Sequence, residues 1–181
     1  MADIKIENVV ASTTIAKELD LNKLSTSLPD GEYEPDQFPG LVLRMKDPKT
    51  AALLFRSGKV VCTGAKTIED VAKAIDKVCR KVEKAGFEVY SKPEITVQNI
   101  VASANLHAEL NLNAIALAVG LEKIEYEPEQ FPGLVYRLED PGVVVLLFGS
   151  GKLVCTGARK AEQVSEAIDK ITKELDDKGL L

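Results

Sequence analysis

Two stretches, residues 4–12 and 95–103, begin as alternating apolar and polar positions and then slip to consecutive apolar residues, at Val9 and Val10 and at Ile100 and Val101. This pattern predicts strands with two apolar faces. Residues 14–28 next place Ile15, Leu19, Leu24 and Leu28 near helical spacing, and residues 105–119 do the same with Leu112, Ile115 and Val119. A short helical stretch is predicted in each. Loops containing proline and glycine follow at 34–40 and 127–133. Three strands are then expected in quick succession, at 41–45, 51–55 and 59–63, parted by turn signals at Asp47-Pro48 and Ser57-Gly58. Thr67 and Asp70 resemble a capping box ahead of an amphipathic helix that buries Val71, Ala74, Ile75, Val78 and Val82, with Gly86 as its C-terminal stop. A matching helix over 161–175 presents Val164, Ile168, Ile171 and Leu175, and Gly179 follows it.

The order of elements repeats because the chain is a tandem duplication. Residues 32–66 and 125–159 are identical at 24 of 35 positions. A period near ninety residues is too long for a solenoid unit and fits two like halves related by an approximate two-fold axis. The expected repeats are 1–91 and 92–181. Only 85–93 lies between them, which leaves no room for separate lobes to tumble, so one compact domain is expected.

Composition narrows the classes. The 181 residues, 45% hydrophobic, can bury a sizeable core. No basic-then-apolar leader and no membrane-length apolar run is present, which predicts a cytoplasmic location without membrane association. Cys62 and Cys155 occupy equivalent apolar strands and Cys79 a helix, so reduced core thiols are expected. There is no CxxC or Cys/His cluster for zinc. A single histidine, His107, and the lack of a nucleophile elbow, a P-loop or paired metal ligands argue against an enzyme. No cofactor is implied.

The strands at 51–55 and 143–148 are apolar on both faces, yet each half offers one long helix and one short stretch to cover a sheet. Either two sheets pack face to face, or one apolar face stays open as a large binding surface. A small-molecule or lipid-binding module, and a homodimer that hides the face, are alternative uses of such a surface.

The motifs bear on the choice. Ser57-Gly58-Lys59-Val60-Val61-Cys62-Thr63-Gly64-Ala65-Lys66 recurs as residues 150–159, and Gln37-Phe38-Pro39-Gly40 recurs at 130–133. These segments closely resemble the core domain of the TATA-binding protein family, and the near-identity of the two loops resembles its archaeal branch. The resemblance implies an α+β saddle: two direct repeats forming one curved ten-stranded antiparallel sheet, with helices on the convex face. It implies a general transcription initiation factor that lays the concave apolar face into the minor groove of the TATA box and kinks the duplex, a mode for which this family is itself a standard example.

The resemblance also distributes roles. Phe38, Phe55, Phe131 and Phe148 match wedges that enter between base pairs. Asn8 and Asn99 match groups that hydrogen-bond minor-groove acceptors, with Thr63 and Thr156 beside them. Val10, Leu53, Val61, Val101, Leu146 and Val154 match an apolar floor that has no acceptor for the amino group of guanine. Arg44, Lys49, Lys59, Arg137 and Lys152 match phosphate contacts. Glu127 and Glu129 match the contact with transcription factor B, and the implied partners are double-stranded TATA-box DNA, that factor and the RNA polymerase initiation complex. In an archaeal cell the site of action is the cytoplasmic nucleoid.

A formal charge of -5 is unusual for a DNA binder. The distribution offsets it: residues 41–66 carry six basic side chains against Asp47, whereas 134–159 carry three against Glu139 and Asp140. Departures from the family pattern also fall in the second half, where Gly142 stands opposite Lys49. Gln37 and Gln130 replace a basic residue before each loop phenylalanine. The first-half loop keeps Glu34 and Asp36, so the sequence does not say which loop a partner prefers.

Overall fold

A computed structural model describes residues 3–181. Over the described residues the chain is α+β, with ten strands in an antiparallel sheet and four helices. In chain order these are β1 (Asp3–Thr14), α1 (Leu21–Ser27), β2 (Gly31–Glu32), β3 (Leu41–Lys46), β4 (Lys49–Leu54), β5 (Lys59–Ala65) and α2 (Ile68–Lys84). They are followed by β6 (Thr96–Asn105), α3 (Leu112–Val119), β7 (Ile124–Glu125), β8 (Leu134–Leu138), β9 (Val143–Leu147), β10 (Lys152–Ala158) and α4 (Ala161–Asp177). Two compact units divide the chain. One is Asn8–Gln98; the other is Asn99–Leu181 together with the opening residues through Glu7.

In Asn8–Gln98 the strands run in the order β2-β3-β4-β5-β1, and α2 packs on β4 and β5. Val71, Ala74, Ile75, Val78 and Val82 form the buried stripe of α2, and Leu43, Ala52, Leu54, Val60 and Cys62 are buried in the core of the same unit. The Thr67 side chain accepts from the Asp70 backbone N–H at 3.0 Å, a cap worth about 1 kcal/mol. Gly86 follows the helix at φ 97°, the left-handed conformation that ends helices. In Asn99–Leu181 the order is β6-β10-β9-β8-β7, with α4 on β9 and β10. Here Gln163 Oε1 accepts from the backbone N–H groups of Arg159 (2.8 Å) and Lys160 (3.1 Å), which satisfies donors at the start of α4.

Several boundaries differ from the sequence reading. The stretch at 14–28 is helical only over Leu21–Ser27, where Asp20 caps the helix through Lys23 N–H, and Asn111 caps α3 the same way. Residues before Asp20 leave the pattern because Ile15 N–H and Leu19 N–H bond the carbonyls of Gly58 and Arg56 instead of helical partners. Phe55 and Phe148 lie just beyond β4 and β9. The two-residue strands β2 and β7 carry too few positions to show an alternation.

Cys62, Cys79 and Cys155 are buried free thiols. Among the described residues no helix is long and apolar enough to cross a membrane. No group of three or more His, Cys, Asp or Glu residues that could hold a metal occurs among them.

Candidate nucleic-acid interface

Strand register lays out the second sheet face residue by residue. In Asn8–Gln98, Val42 pairs with Leu53, Leu53 with Val61, and Val61 with Ser12, so these four form one row on one face. Arg44, Ala51 and Thr63 form the next. In Asn99–Leu181 the equivalent rows are Val135, Leu146, Val154 and Ser103, and then Arg137, Val144 and Thr156. The intervening positions, such as Ala52, Cys62, Val145 and Cys155, are fully buried against the helices. Those on the rows remain partly accessible, except Ser12, which is 8% exposed. Val10 and Val101 share the half-buried state between buried neighbours. The sheet-on-sheet alternative is therefore not adopted: an apolar, uncovered face exists in each unit, as the mismatch between apolar strands and available helices predicts.

Polar groups on this face sit at paired bulges. The register of β1 with β5 shifts between Val9 and Ala11, and that of β6 with β10 shifts between Cys155 and Ala158. The extra residues fall at Gly64 (φ 93°) and Gly157 (φ 99°), a backbone state that side-chain-bearing residues rarely adopt. Asn8 Oδ1 accepts from the Gly64 N–H at 2.7 Å while its Nδ2 donates to Thr63 Oγ1 at 3.3 Å. Asn99 does the same with Gly157 N–H at 2.6 Å and Thr156 Oγ1 at 3.2 Å. Each amide oxygen is thus held by the backbone, so the amide is fixed with its NH2 toward the threonine. The Thr63 hydroxyl, accepting from that amide, keeps its own proton for an outside acceptor, whereas Thr156 Oγ1 also makes a long donation to Asn99 Oδ1 at 3.5 Å, which an outside acceptor would have to displace. Asparagine and threonine together present donors.

The phenylalanines come in pairs, one per unit. Phe38 meets Phe55 edge to face with ring centroids 5.8 Å apart, and Phe131 meets Phe148 at 5.9 Å. Phe38 and Phe131 are 37% and 39% exposed. Beneath each pair lies a glycine. A Cβ on Gly40 would come within 2.8 Å of the Phe38 ring and 3.0 Å of Phe55, and one on Gly133 within 2.7 Å of Phe131 and 2.9 Å of Phe148. Each aromatic pair therefore needs the bare backbone of the loop Pro-Gly.

Charge is distributed unevenly. Arg44, Lys46, Lys49 and Lys66 line a single recess with Thr63. Lys59 is exposed at the start of β5, as Lys152 is at the start of β10. Arg44 approaches Glu32 at 3.9 Å and Arg137 approaches Glu125 at 3.4 Å, both in solvent, where such pairs contribute little and release readily. Glu127 and Glu129 are exposed in the loop ahead of Phe131. Burial pushes the thiols of Cys62 and Cys155 up to about 11, so neither is ionised near neutrality.

The geometry thus sets the expected floor and donor residues of each repeat on one face with Arg44 or Arg137, and it pairs the phenylalanines of each repeat with each other. The register also places Val42, Val135, Ala51, Val144, Ser12 and Ser103 on the same face, none of which was singled out from sequence. Their signal was available in the pairing with Leu53 and Leu146, but only once hairpin register was known. His107 lies outside these rows, with Nε2 2.7 Å from Asp3 Oδ2 and both side chains exposed.

Similarity to known proteins follows the same outline. A family described as transcription factor TFIID, or TATA-binding protein, matches residues 3–85 and again 94–178. A TATA-box-binding protein of Archaeoglobus fulgidus is 60% identical over 178 residues, covering 98% of this chain and 97% of that protein. One of Picrophilus torridus is 58% identical over 181 residues, covering 100% and 98%. The solved Methanococcus jannaschii TBP superposes with a TM-score of 0.89 at 54% identity, covering 97% of this chain and 99% of that one.

Proposed function

The chain belongs to the TATA-binding protein family, with the archaeal members as its relatives, and on that footing we propose that it binds the TATA box of promoters and initiates transcription. The two repeats, 1–91 and 92–181, each take one half of the site through the minor groove. The family is one of transcription factors, not of enzymes. The observation that carries the reading is the pairing, in both units, of an uncovered apolar face with an exposed edge-to-face phenylalanine pair.

The chemistry of the groove matches the face. A·T pairs show only acceptors there, and guanine adds an amino donor. The donors at Asn8, Thr63, Asn99 and Thr156 suit those acceptors, while the valines and leucines of the rows leave an amino group without a partner. Phe38 with Phe55, and Phe131 with Phe148, enter base steps and kink the duplex, which costs least at flexible T-A steps. Arg44, Lys49, Lys59, Arg137 and Lys152 neutralise phosphates and fix register. Glu127 and Glu129, exposed in the loop ahead of Phe131, contact transcription factor B, which brings RNA polymerase to the promoter in the cytoplasmic nucleoid.

Titration of a fluorescent TATA duplex against a control with its A·T pairs replaced by G·C tests the reading. Binding at least about a hundredfold tighter to the TATA duplex is expected, the sum of several mismatch penalties of about 1–3 kcal/mol. Equal, weak binding to both would remove it.

A further inference from the structure

We propose that Glu7 is a specificity-determining residue that makes its half of the binding face tolerant of guanine, whereas Gln98, its repeat counterpart, holds the other half to A·T pairs. The inference rests on the minor-groove reading and assigns the two halves different preferences.

Glu7 and Gln98 immediately precede Asn8 and Asn99 in the two repeats. Both reach a serine at the end of an apolar row, with the hydrogen bond reversed. Gln98 Nε2 donates to Ser12 Oγ at 2.8 Å, and Ser103 Oγ donates to Glu7 Oε1 at 2.8 Å. Ser12 continues the row Val42, Leu53, Val61, and Ser103 continues Val135, Leu146, Val154. Glu7 also shares a recess with Phe148, Lys152 and Val154, which places its carboxylate beside a wedge, a phosphate contact and the floor of the same unit.

The two side chains have opposite capacities. A carboxylate only accepts, and an amide donates as well. Over an A·T pair, Glu7 faces adenine N3 and thymine O2, acceptor against acceptor. Over a G·C pair it meets the single donor this groove offers, the 2-amino group. Gln98 keeps an N–H for adenine or thymine after donating to Ser12. Because the repeats are otherwise so alike, the chain can engage a site in either direction, and a guanine in one half then selects the direction that sets it under Glu7.

The test uses a TATA duplex with one G·C pair in one half, and its partner with inosine in place of that guanine, so that the two differ only in the amino group. Orientation is read by energy transfer from a dye on S165C, an exposed position of α4, to one duplex end; the native cysteines are buried. The wild-type chain should place its Glu7 half over guanine and show no bias with inosine. E7Q, checked for unchanged circular dichroism, should lose the bias and raise the guanine-over-inosine penalty about fivefold. An equal penalty in both proteins, or a uniform gain in affinity of E7Q for both duplexes, would overturn the proposal and leave only a charge effect. Failure of wild type to bind either duplex would instead overturn the minor-groove reading on which it rests.

Discussion

A glycine under each pair of phenylalanines explains why Gln-Phe-Pro-Gly recurs without change in the two loops. Gly40 and Gly133 are buried, and each supports two rings where a Cβ would stand within 3.0 Å of both. The rings therefore hold each other at their edges and project from the loop as one aromatic block. Removing one member should be felt as lost deformation before it is felt as lost folding, since Phe148 is only half-buried. Phe148→Ala should reduce TATA bending, measured by energy transfer between the duplex ends, while the thermal midpoint moves by a few degrees at most. Unchanged bending would refute its role as a wedge. The four phenylalanines were legible in the sequence through their recurrence, but the edge-to-face contact between loop and strand-end rings was not. That contact depends on a hairpin bringing residues 38 and 55 together across the sheet.

The elements show where physical signals were strong and where they were not. Both long helices and all six inner hairpin strands announced themselves by period and by capping or turn residues. The short helices were drawn too long because apolar spacing continued into Ile15 and Leu19, whose backbone groups are claimed by the turn at Gly58. The slip in alternation at Val9-Val10 and Ile100-Val101 indicates two apolar faces and does not reveal the bulges, whose extra residues lie on the partner strands at Gly64 and Gly157. What that slip concealed is the use of Asn8 and Asn99 as braces for Gly64 and Gly157. An alanine at Gly64 would have to hold φ near 93°, at a cost of about 1–3 kcal/mol. Gly64→Ala should lower the unfolding free energy measured by urea titration by that amount and weaken TATA binding further, because the Asn8 amide loses its fixed aim. A variant as stable as wild type would show that the bulge is not strained.

For the whole molecule, an excess of acid coexists with a DNA-binding reading because the charge is segregated. The recess formed by Arg44, Lys46, Lys49 and Lys66 has no equally basic counterpart in the second repeat, where Gly142 takes the place of Lys49. Phosphate contact should accordingly be heavier for the first repeat. Lys49→Ala should weaken binding to all duplexes alike and reduce the slope of log K against log salt by about one; an unchanged slope would place Lys49 off the phosphates. The edge-to-face aromatic blocks have a kinetic consequence as well. Since the rings already stand in their mutual contact without DNA, little side-chain freedom remains to be lost on association, and the slow step passes to the nucleic acid. Promoters should then differ in arrival rate according to how readily their own base steps open, with the protein acting on each as the same rigid die.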